Sequence, residues 1–414
     1  MLKHLRVVEI AGFGTAMCGE ILGDLGADVV VVEPPGGAAL RRRPPFYEDT
    51  PDPNRSLPWW AYNRNKRGVT LDLAQPDGAA LLRRLVAGAD FVVEGLGPSG
   101  LEAHGLSYDA FAAENPRLIM VSTSPFGLDG PKAEYAATDL TIMAASTVLS
   151  LTGDEDRPPL RLSVPQAHLH AGAEAAATAL IALQGRERSG RGQRLDVSAQ
   201  QAVTIATQCN ILAAGWEDER SYLTRVAGGA KAGPITLKLV FPCKDGYVSC
   251  TFFFGTTIGV ATNRLMQVVH EAGFADDSLA AKDYVPYATL IFSGQEPVSE
   301  LFRAYAAVEA FFMTKTKAEL FALGRERGLL LGPCNTIVDL VESPQWQERG
   351  YWVPVEHPEL GRTILYPGPF VKLSATPIAY RRRAPLLGEH NAEVFGALGV
   401  TVAELALLRG QGVV

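Results

Sequence analysis

The start of the chain alternates between short apolar runs and a helical pattern. Residues 5–10 and 27–33 are apolar runs of strand length, and residues 14–26 between them carry apolar side chains at helical spacing. A strand, a helix and a second strand within about 30 residues form a βαβ unit, whose strands are parallel and buried on both faces. We therefore predict that the chain begins with a parallel β-sheet.

The alternation continues through residue 125 and beyond. Further helices are predicted at 77–88, 108–114 and 171–184, and further strands at 90–94, 118–124 and 194–197. Regular alternation of strands and helices is typical of a doubly wound α/β unit. The expected fold class is accordingly α/β.

The composition is that of a folded protein rather than a disordered one. The chain has 414 residues, of which 47% are hydrophobic and 20% charged, so it can bury a sizeable core. Its formal net charge of −7 argues against nucleic acid or an anionic membrane as a general partner. Charges interrupt the N-terminus too early for a signal region, and no run of 18 apolar residues occurs, so we expect a cytoplasmic chain without a membrane span. The cysteines are scattered and lack metal-ligand spacing, which indicates reduced thiols.

The composition and the secondary-structure pattern of the sequence change near Gly228. Residues 228–234 are glycine-rich, and the following segments, 236–241 and 246–254, resemble the two strands of a hairpin. Helical patterns then extend to residue 327, before a tail rich in proline and glycine. This middle region is the candidate second domain.

The turn after the first strand contains Gly12, Phe13 and Gly14, and Glu33 closes the next strand. These residues match part of a dinucleotide-binding fingerprint, but Met17 stands where the third glycine would allow close packing. The alternative is a tight turn followed by a helix N-terminus that could bind another anion.

His168, His170 and Glu174 have the spacing of a metal site found on β-strands. The surrounding sequence is strongly helical, however, and residues two apart on a helix point about 200° away from each other. The alternative to a metal site is therefore two ordinary histidines at the start of a helix, and we predict no bound metal.

Several blocks of sequence run in a fixed order over nearly the whole chain. They include Ser189-Gly-Arg-Gly-Gln-Arg-Leu-Asp-Val197 and Gly332-Pro-Cys-Asn335, together with residues 23–37, 63–73, 115–119, 357–361 and 384–390. In these blocks the sequence resembles the class III (CaiB/BaiF-type) CoA-transferases. The resemblance implies a Rossmann-like large domain built from both ends of the chain, 1–225 and 328–414, and a smaller α+β domain at 226–327. It also implies two ring-shaped subunits interlocked in a dimer.

The resemblance implies a covalent mechanism centred on one aspartate. That carboxylate attacks an acyl-CoA to give a mixed anhydride, and the CoA thiolate then converts the anhydride into an aspartyl-CoA thioester. Pro158, Pro159 and Gly172 fix the register of this motif, and the aspartate position holds His168. An imidazole has no carboxyl carbon with which to form a thioester, so His168 cannot carry CoA. Asp139 and Glu174 are the nearby carboxylates expected to orient His168.

The resemblance also implies a CoA thioester as substrate, with no permanently bound cofactor. The CoA-contacting positions carried over are Gly12, Phe13, Gly14, Leu71, Leu96, Gly97 and His104. Family cations near the phosphates correspond here to Pro34, Ala74 and Ala136. Either other cations replace them or these form a solvated basic edge; the candidates are Arg41, Arg42, Arg43, Arg64, Lys66 and Arg67.

Two main hypotheses of function follow, both with an acyl-CoA and an organic acid as ligands. The chain is either one subunit of a heteromeric CoA-transferase with an aspartate-bearing paralogue, as in benzylsuccinate-type enzymes of aromatic-compound degradation, or a homodimer active by itself. In the second case His168 acts as a general base or acyl acceptor in a transferase or thioesterase. An acyl-CoA racemase is a further alternative, although its histidine and aspartate correspond to Thr138 and His168.

An aromatic segment remains open to two interpretations. It either lines an organic-acid pocket or packs in the core, and its members are Phe46, Trp59, Trp60 and Tyr62.

Overall fold

The computed structural model describes residues 1–213, 225–232 and 235–414. They form two compact units: Met1–Leu149, Arg161–Gln208 and Gln347–Val414 in the first, and Ser150–Leu160 and Cys209–Trp346 in the second. Residues 214–224 and 233–234 lie outside the described residues, and the last two belong to the glycine-rich segment predicted at 228–234. The expected domain limits 1–225, 226–327 and 328–414 stay a prediction.

The first unit is built on the predicted parallel sheet. Its strands are β1 (Arg6–Ile10), β2 (Asp28–Glu33), β3 (Lys66–Thr70), β4 (Phe91–Glu94), β5 (Ile119–Ser124) and β6 (Arg194–Ser198). They pair in parallel in the order β3-β2-β1-β4-β5-β6. The α/β prediction is confirmed, because local periodicity suffices to identify buried parallel strands.

Helices follow the strands of this sheet. They are α1 (Thr15–Asp24), α2 (Leu57–Asn63), α3 (Pro76–Ala87), α4 (Tyr108–Glu114), α5 (Asp139–Ala145), α6 (Ala167–Ser189) and α7 (Ala199–Thr204). Alternate residues along the strands enter cores on opposite faces, with Val7 and Val29 on one side and Val8 and Val30 on the other. The chain runs in one direction from β1 to β3 and in the other from β4 to β6. This reversal opens a crevice beyond the carboxyl ends of β1 and β4.

Helix α6 is longer than the predicted 171–184. It begins at Ala167, which places His168 in its first turn, and it ends at Ser189 before the left-handed Gly190. The expected turn at 185–193 is thus helical in its first part. The buried Arg186 pairs with Asp90 at 3.0 Å, and this distant contact stabilises the final turns.

The middle of the chain forms strands and helices around a separate core. The elements are α8 (Gln208–Ala213), β7 (Gly229–Ala232), β8 (Ile235–Lys238), β9 (Val240–Cys243), β10 (Gly246–Cys250), α9 (Gly255–Glu271), α10 (Asp277–Ala280), α11 (Tyr287–Phe292), α12 (Val298–Phe312), α13 (Lys317–Arg327), β11 (Leu331–Pro333), α14 (Ile337–Glu342) and α15 (Pro344–Glu348). The predicted hairpin is wrong in its first strand. Residues 235–238 pair with β7, and the hairpin consists of β9 and β10. The strand is interrupted at Leu239, whose amide donates to the Gly228 carbonyl.

The last segment belongs to the first unit. Its elements are β12 (Trp352–His357), β13 (Arg362–Pro367), α16 (Asn391–Ala397) and α17 (Val402–Gly410). The Asn391 side chain accepts the Thr70 amide proton at 2.9 Å and donates to the Thr70 hydroxyl at 2.8 Å, which fastens this segment to β3. Within the described ranges, no helix combines the length and apolarity needed to cross a bilayer.

Candidate functional site

A cavity of about 290 Å³ lies in the crevice beyond the carboxyl end of β1. It is lined by Glu9, Ala11, Gly12, Phe13, Gly14, Thr15, Ala16, Met17, Ala38, Ala39, Leu40, Arg43, Trp59, Tyr62, Asn63, Ala137, Thr138, Asp139, His168 and Leu169. The structure therefore brings together several predicted site residues: Gly12, Phe13, Gly14, Asp139 and His168. Open α/β sheets bind ligands at this position.

The glycines of the first turn serve close packing. The Phe13 amide donates to the Gly95 carbonyl at 3.2 Å, and a Cβ atom on Gly12 would lie within 3.0 Å of the Gly95 backbone. Gly14 has a φ of 70° and starts α1. The interpretation as a tight turn thus explains both glycines.

Met17 stands where the dinucleotide-binding fingerprint has its third glycine, and the glycine at this contact lies on another helix instead. A Cβ atom on Gly172 of α6 would lie 2.6 Å from both the Gly14 carbonyl oxygen and the Met17 Cβ atom. The side chain of Met17 is therefore accommodated because α6 presents glycine at the contact. This close approach sets the position of the first turn of α6, which carries His168.

Substitution of Gly172 by alanine is expected to lower the free energy of unfolding by roughly 1–3 kcal/mol, since backbone atoms must move to admit the methyl group. Gly185 lies in the same helix, and no atom of the described residues lies within 4 Å of the position that its Cβ atom would take, so Gly185→Ala should stabilise the protein by roughly 0.5–1 kcal/mol. Urea denaturation of both variants tests the contact. Equal effects of the two substitutions would contradict it.

His168 presents a half-buried imidazole to the cavity. The Tyr62 ring meets it edge-on, with the ring centroids 6.5 Å apart. Burial lowers the pKa of His168, the Arg43 guanidinium lowers it further, and Asp139 opposes both effects. Within the part of the chain that the structure describes, the His168 ring forms no hydrogen bond, so a neutral imidazole is available to a ligand.

His170 and Glu174 do not share this cavity. His170 is exposed, and Glu174 lines a separate groove with Asp196 and Gln200. Residues six apart on a helix lie roughly 120° from each other around its axis, so the structure does not bring the Glu174 side chain to the His168 ring. The role of Glu174 as the group that orients His168 stays a prediction. Among the described residues, no group of side chains is arranged to hold a metal ion.

Asp139 lies beside His168 but bonds the backbone. Its Oδ1 atom accepts the amide protons of Gln166 at 2.6 Å and Ala167 at 2.7 Å. A carboxylate at this position accepts hydrogen bonds from the free amides at the start of α6, and its negative charge interacts favourably with the positive end of the helix dipole. Asp139 therefore positions the helix turn that carries His168, rather than the ring itself.

The remaining predicted contacts with CoA do not line the cavity. Leu96 is exposed in the loop after β4, where its amide donates to Glu94, and Gly97 follows it. The Leu71 side chain is buried in the hydrophobic core, because it continues the inward alternation of β3. His104 lies in a short 3₁₀ helix, Glu102–His104. These assignments stay predictions.

The basic residues between β2 and the start of β3 differ sharply in their surroundings. Arg41 pairs with Glu33 at 2.6 Å, Arg64 with Asp24 at 2.6 Å, and Lys66 with Glu9 at 2.7 Å, all six side chains being buried. Neither expected alternative, phosphate binding or a solvated edge, holds for these three cations.

Two neighbouring arginines are exposed instead. Arg42 donates to the Gly36 carbonyl, whereas Arg43 lines the cavity. The sequence pattern did not separate Arg43 from its neighbours, because Glu33 is near all three consecutive arginines in sequence, whereas the carboxylates that neutralise Arg64 and Lys66 are distant.

The aromatic segment divides between the two expected roles. The Trp59 ring lies 3.8 Å from the Arg41 guanidinium, and its Nε1 atom donates a hydrogen bond to the Pro385 carbonyl, so most of the ring is packed in the core. Trp60 packs on His357, with ring centroids 4.3 Å apart. Tyr62 and one part of Trp59 reach the cavity wall.

The Arg43→Gln variant is expected to raise the pKa of His168, because it removes a positive charge that disfavours the imidazolium form. An NMR titration of the His168 ring carbons measures this change. Arg42→Gln is the matched control, and its His168 titration should equal that of the unmodified protein. If the pKa of His168 were unchanged in Arg43→Gln, the Arg43 guanidinium would not lie near the His168 ring in solution.

Comparison with known proteins adds full-length similarities. A family model described as CoA-transferase family III matches residues 2–391. The chain is 33% identical, over its entire length and 98% of the relative, to succinyl-CoA:(R)-benzylsuccinate CoA-transferase subunit BbsE of Thauera aromatica. It is 32% identical to succinate–glutarate CoA-transferase of Agrobacterium fabrum, over 96% of this chain and 95% of that protein. The crystal structure of a CAIB/BAIF family protein from Brucella suis matches with a TM-score of 0.77 and 29% identity, covering 96% of this chain and 99% of that one.

Proposed function

Since this chain belongs to CoA-transferase family III, we propose that it is one subunit of a heteromeric CoA-transferase acting on the CoA thioester of an organic acid. Its partner is a paralogous chain with an aspartate at the position of His168. The two chains interlock as rings, and the covalent step takes place on the partner subunit.

The observation that carries this proposal is the state of the carboxylates around the cavity. Two acidic side chains line it, and both have other bonding partners. Glu9 is paired with the buried Lys66 at 2.7 Å, and Asp139 accepts two backbone amide protons. Among the described residues that line the cavity, no carboxylate is left unengaged for attack on a thioester.

The chemistry of CoA storage explains why His168 does not replace such a carboxylate. In the aspartate mechanism the carboxylate displaces CoA thiolate from the donor, and the thiolate then displaces the free donor acid from the anhydride. The acceptor acid attacks the resulting aspartyl thioester, and the same steps in reverse release the new acyl-CoA. An imidazole attacking the donor gives an acyl-imidazole and free CoA thiolate. The imidazole has no carbonyl carbon with which the CoA thiolate can form a thioester, so His168 cannot store CoA.

The relatives support a division of labour between chains. The protein from Thauera aromatica is named as a subunit of its enzyme and matches this chain over its entire length. A fold retained in full, with a histidine at the carrier position, suits a chain that completes the assembly around a catalytic partner.

Purification tests the proposal directly. The chain alone is expected to transfer no CoA from succinyl-CoA to organic acids, whereas co-expression with a family paralogue from the same genome that carries the aspartate should restore transfer. Replacement of that aspartate by alanine in the partner should abolish transfer. Borohydride or hydroxylamine, which cleaves an aspartyl-CoA thioester, releases CoA and leaves an alcohol or a hydroxamate on the residue, should mark the partner's aspartate. CoA transfer by the isolated chain would disprove the proposal.

The effect of His168→Ala separates the subunit role from catalysis by the imidazole. In the two-chain complex this variant should leave the turnover number nearly unchanged, with Asp139 still holding the first turn of α6. A loss of about 10²-fold or more would instead identify His168 as a general base.

One observation favours a second candidate function, hydrolysis of an acyl-CoA. The lowered pKa of His168 keeps the imidazole neutral near pH 7, as a general base requires. His168 would then take a proton from water as the oxygen attacks the thioester carbonyl, and the CoA thiolate would leave with that proton. Release of free CoA by the isolated chain, lost in His168→Ala, distinguishes this function from transfer.

A further inference from the structure

Arg43 is the exposed cation that faces the cavity. Other basic side chains nearby are neutralised, with Arg41 on Glu33 and Lys66 on Glu9. Among the described residues, no carboxylate forms an ion pair with Arg43, although it lies close enough to His168 to influence its charge. The cavity thus has an uncompensated positive charge on its wall.

The negative charges around the cavity do not cancel Arg43. Glu9 contacts the Lys66 ammonium at 2.7 Å, and Asp139 is bound to the amides that start α6. Gly14, which precedes α1, and the first helical residues Thr15 to Met17 also line the cavity, and no side chain of the described residues caps that helix. Its N-terminal end adds a favourable field for an anion near Arg43.

The rest of the wall is largely apolar. Phe13, Met17, Leu40 and Leu169 contribute hydrophobic side chains, and alanines fill several of the remaining positions. A cavity of about 290 Å³ lies just below the range of roughly 300–1,000 Å³ that holds drug-sized ligands. It suits an acid or acyl group rather than an entire CoA molecule.

We propose that this cavity binds an organic acid with an apolar body and that Arg43 determines specificity by pairing with its carboxylate. The apolar body lies against Phe13, Met17 and Leu169. The inference goes beyond the proposed function, because it gives this chain a binding site for an acid while the covalent step takes place on the partner subunit. Short hydrophilic dicarboxylic acids are disfavoured, since a second carboxylate would lose its water against apolar walls.

Calorimetric titration with defined acids tests the inference without requiring turnover. The protein is the full chain in the form that purifies, alone or with its partner subunit. The probes are 3-phenylpropionate, the matching amide 3-phenylpropionamide, and succinate. We expect saturable binding of 3-phenylpropionate, at least about tenfold weaker binding of the amide, and the weakest binding for succinate.

Variants assign the binding to this cavity. Arg43→Gln should raise the Kd for 3-phenylpropionate at least about tenfold, or remove one of two sites if the partner subunit binds the acid as well. Arg42→Gln, which alters the adjacent exposed arginine, should leave the Kd unchanged. Bound acid should also raise the pKa of His168 in the unmodified protein, and this response should disappear in Arg43→Gln.

Each contrary result overturns the inference. Equal binding of acid and amide excludes recognition of a carboxylate, tighter binding of succinate excludes the apolar acid class, and an unchanged Kd in Arg43→Gln excludes Arg43. Absence of acid binding excludes the site itself. CoA transfer by the isolated chain would disprove the subunit assignment instead, while the binding data for Arg43 would stand separately.

Discussion

Replacement of Lys66 by methionine is expected to lower the free energy of unfolding by about 3–5 kcal/mol, among the largest effects of any single substitution in this chain. The Lys66 ammonium is fully buried and lies 2.7 Å from Glu9 Oε2. It also donates to the Ala16 carbonyl at 2.8 Å and to Asn63 Oδ1 at 2.9 Å. Methionine fills a similar volume but leaves Glu9 as an uncompensated buried acid beneath the cavity.

The loss in the Lys66→Met variant should grow with pH. Burial raises the pKa of Glu9 above its usual range, and Lys66 opposes that rise. Without Lys66, the pKa of Glu9 in the folded protein rises further, so the folded state holds a proton that the unfolded chain releases near its ordinary pKa. Stability therefore falls as pH increases from the unfolded pKa through the folded one. Urea denaturation at pH 5 and pH 8 should show the smaller loss at pH 5.

Two controls define the cause of the Lys66→Met effect. The double variant Glu9→Leu/Lys66→Met removes both charges and should recover much of the lost stability, because an apolar pair of similar volume replaces the ion pair. Lys3→Met changes an exposed lysine and should remain within about 0.5 kcal/mol of the unmodified protein. A double variant no better than Lys66→Met would show that packing, rather than the stranded carboxylate, sets the loss.

The sequence predicted the architecture more completely than the site because the two depend on contacts of different range. The strands β1 and β2 and helix α1 follow from periodicities within about 30 residues. The end of α6 depends on Arg186 meeting Asp90, and that pairing has no signature in the helix sequence itself. The helical angle between His168 and His170 was available from the sequence and agrees with their different surroundings.

The charged residues illustrate what the sequence left open. Arg41, Arg42 and Arg43 are consecutive and chemically identical, yet one is buried, one bonds a carbonyl and one lines the cavity. Their roles differ because Glu33, eight residues before Arg41, faces only that guanidinium. Likewise, Met17 fits at its position because Gly172 of α6 has no side chain at the contact. Gly172 is distant from Met17 in sequence and comes close only when α1 and α6 pack together.

Arg41→Met is the second substitution expected to cost about 3–5 kcal/mol. The guanidinium forms two bonds to Glu33, from Nε at 2.6 Å and from Nη2 at 2.7 Å. It also donates to Asn54 Oδ1 and to the Pro385 carbonyl, each at 3.0 Å. Methionine would leave the buried Glu33 carboxylate with the Ala38 amide as its remaining hydrogen bond among the described residues.

The position of these bonds predicts where the Arg41→Met variant loosens first. Arg41 joins the strand end at Glu33 to the C-terminal segment at Pro385, and Asn54 in turn accepts the Leu387 amide proton at 3.0 Å. Hydrogen exchange should therefore accelerate around residues 385–391 before it does in the parallel sheet. Arg41→Lys keeps the charge but loses the paired geometry, so it should show a smaller version of the same pattern. Arg42→Met, at the exposed neighbour, should change stability by less than about 0.5 kcal/mol. If Arg41→Met and Arg42→Met were equally stable, the bidentate pair with Glu33 would contribute nothing to holding the C-terminal segment on the sheet.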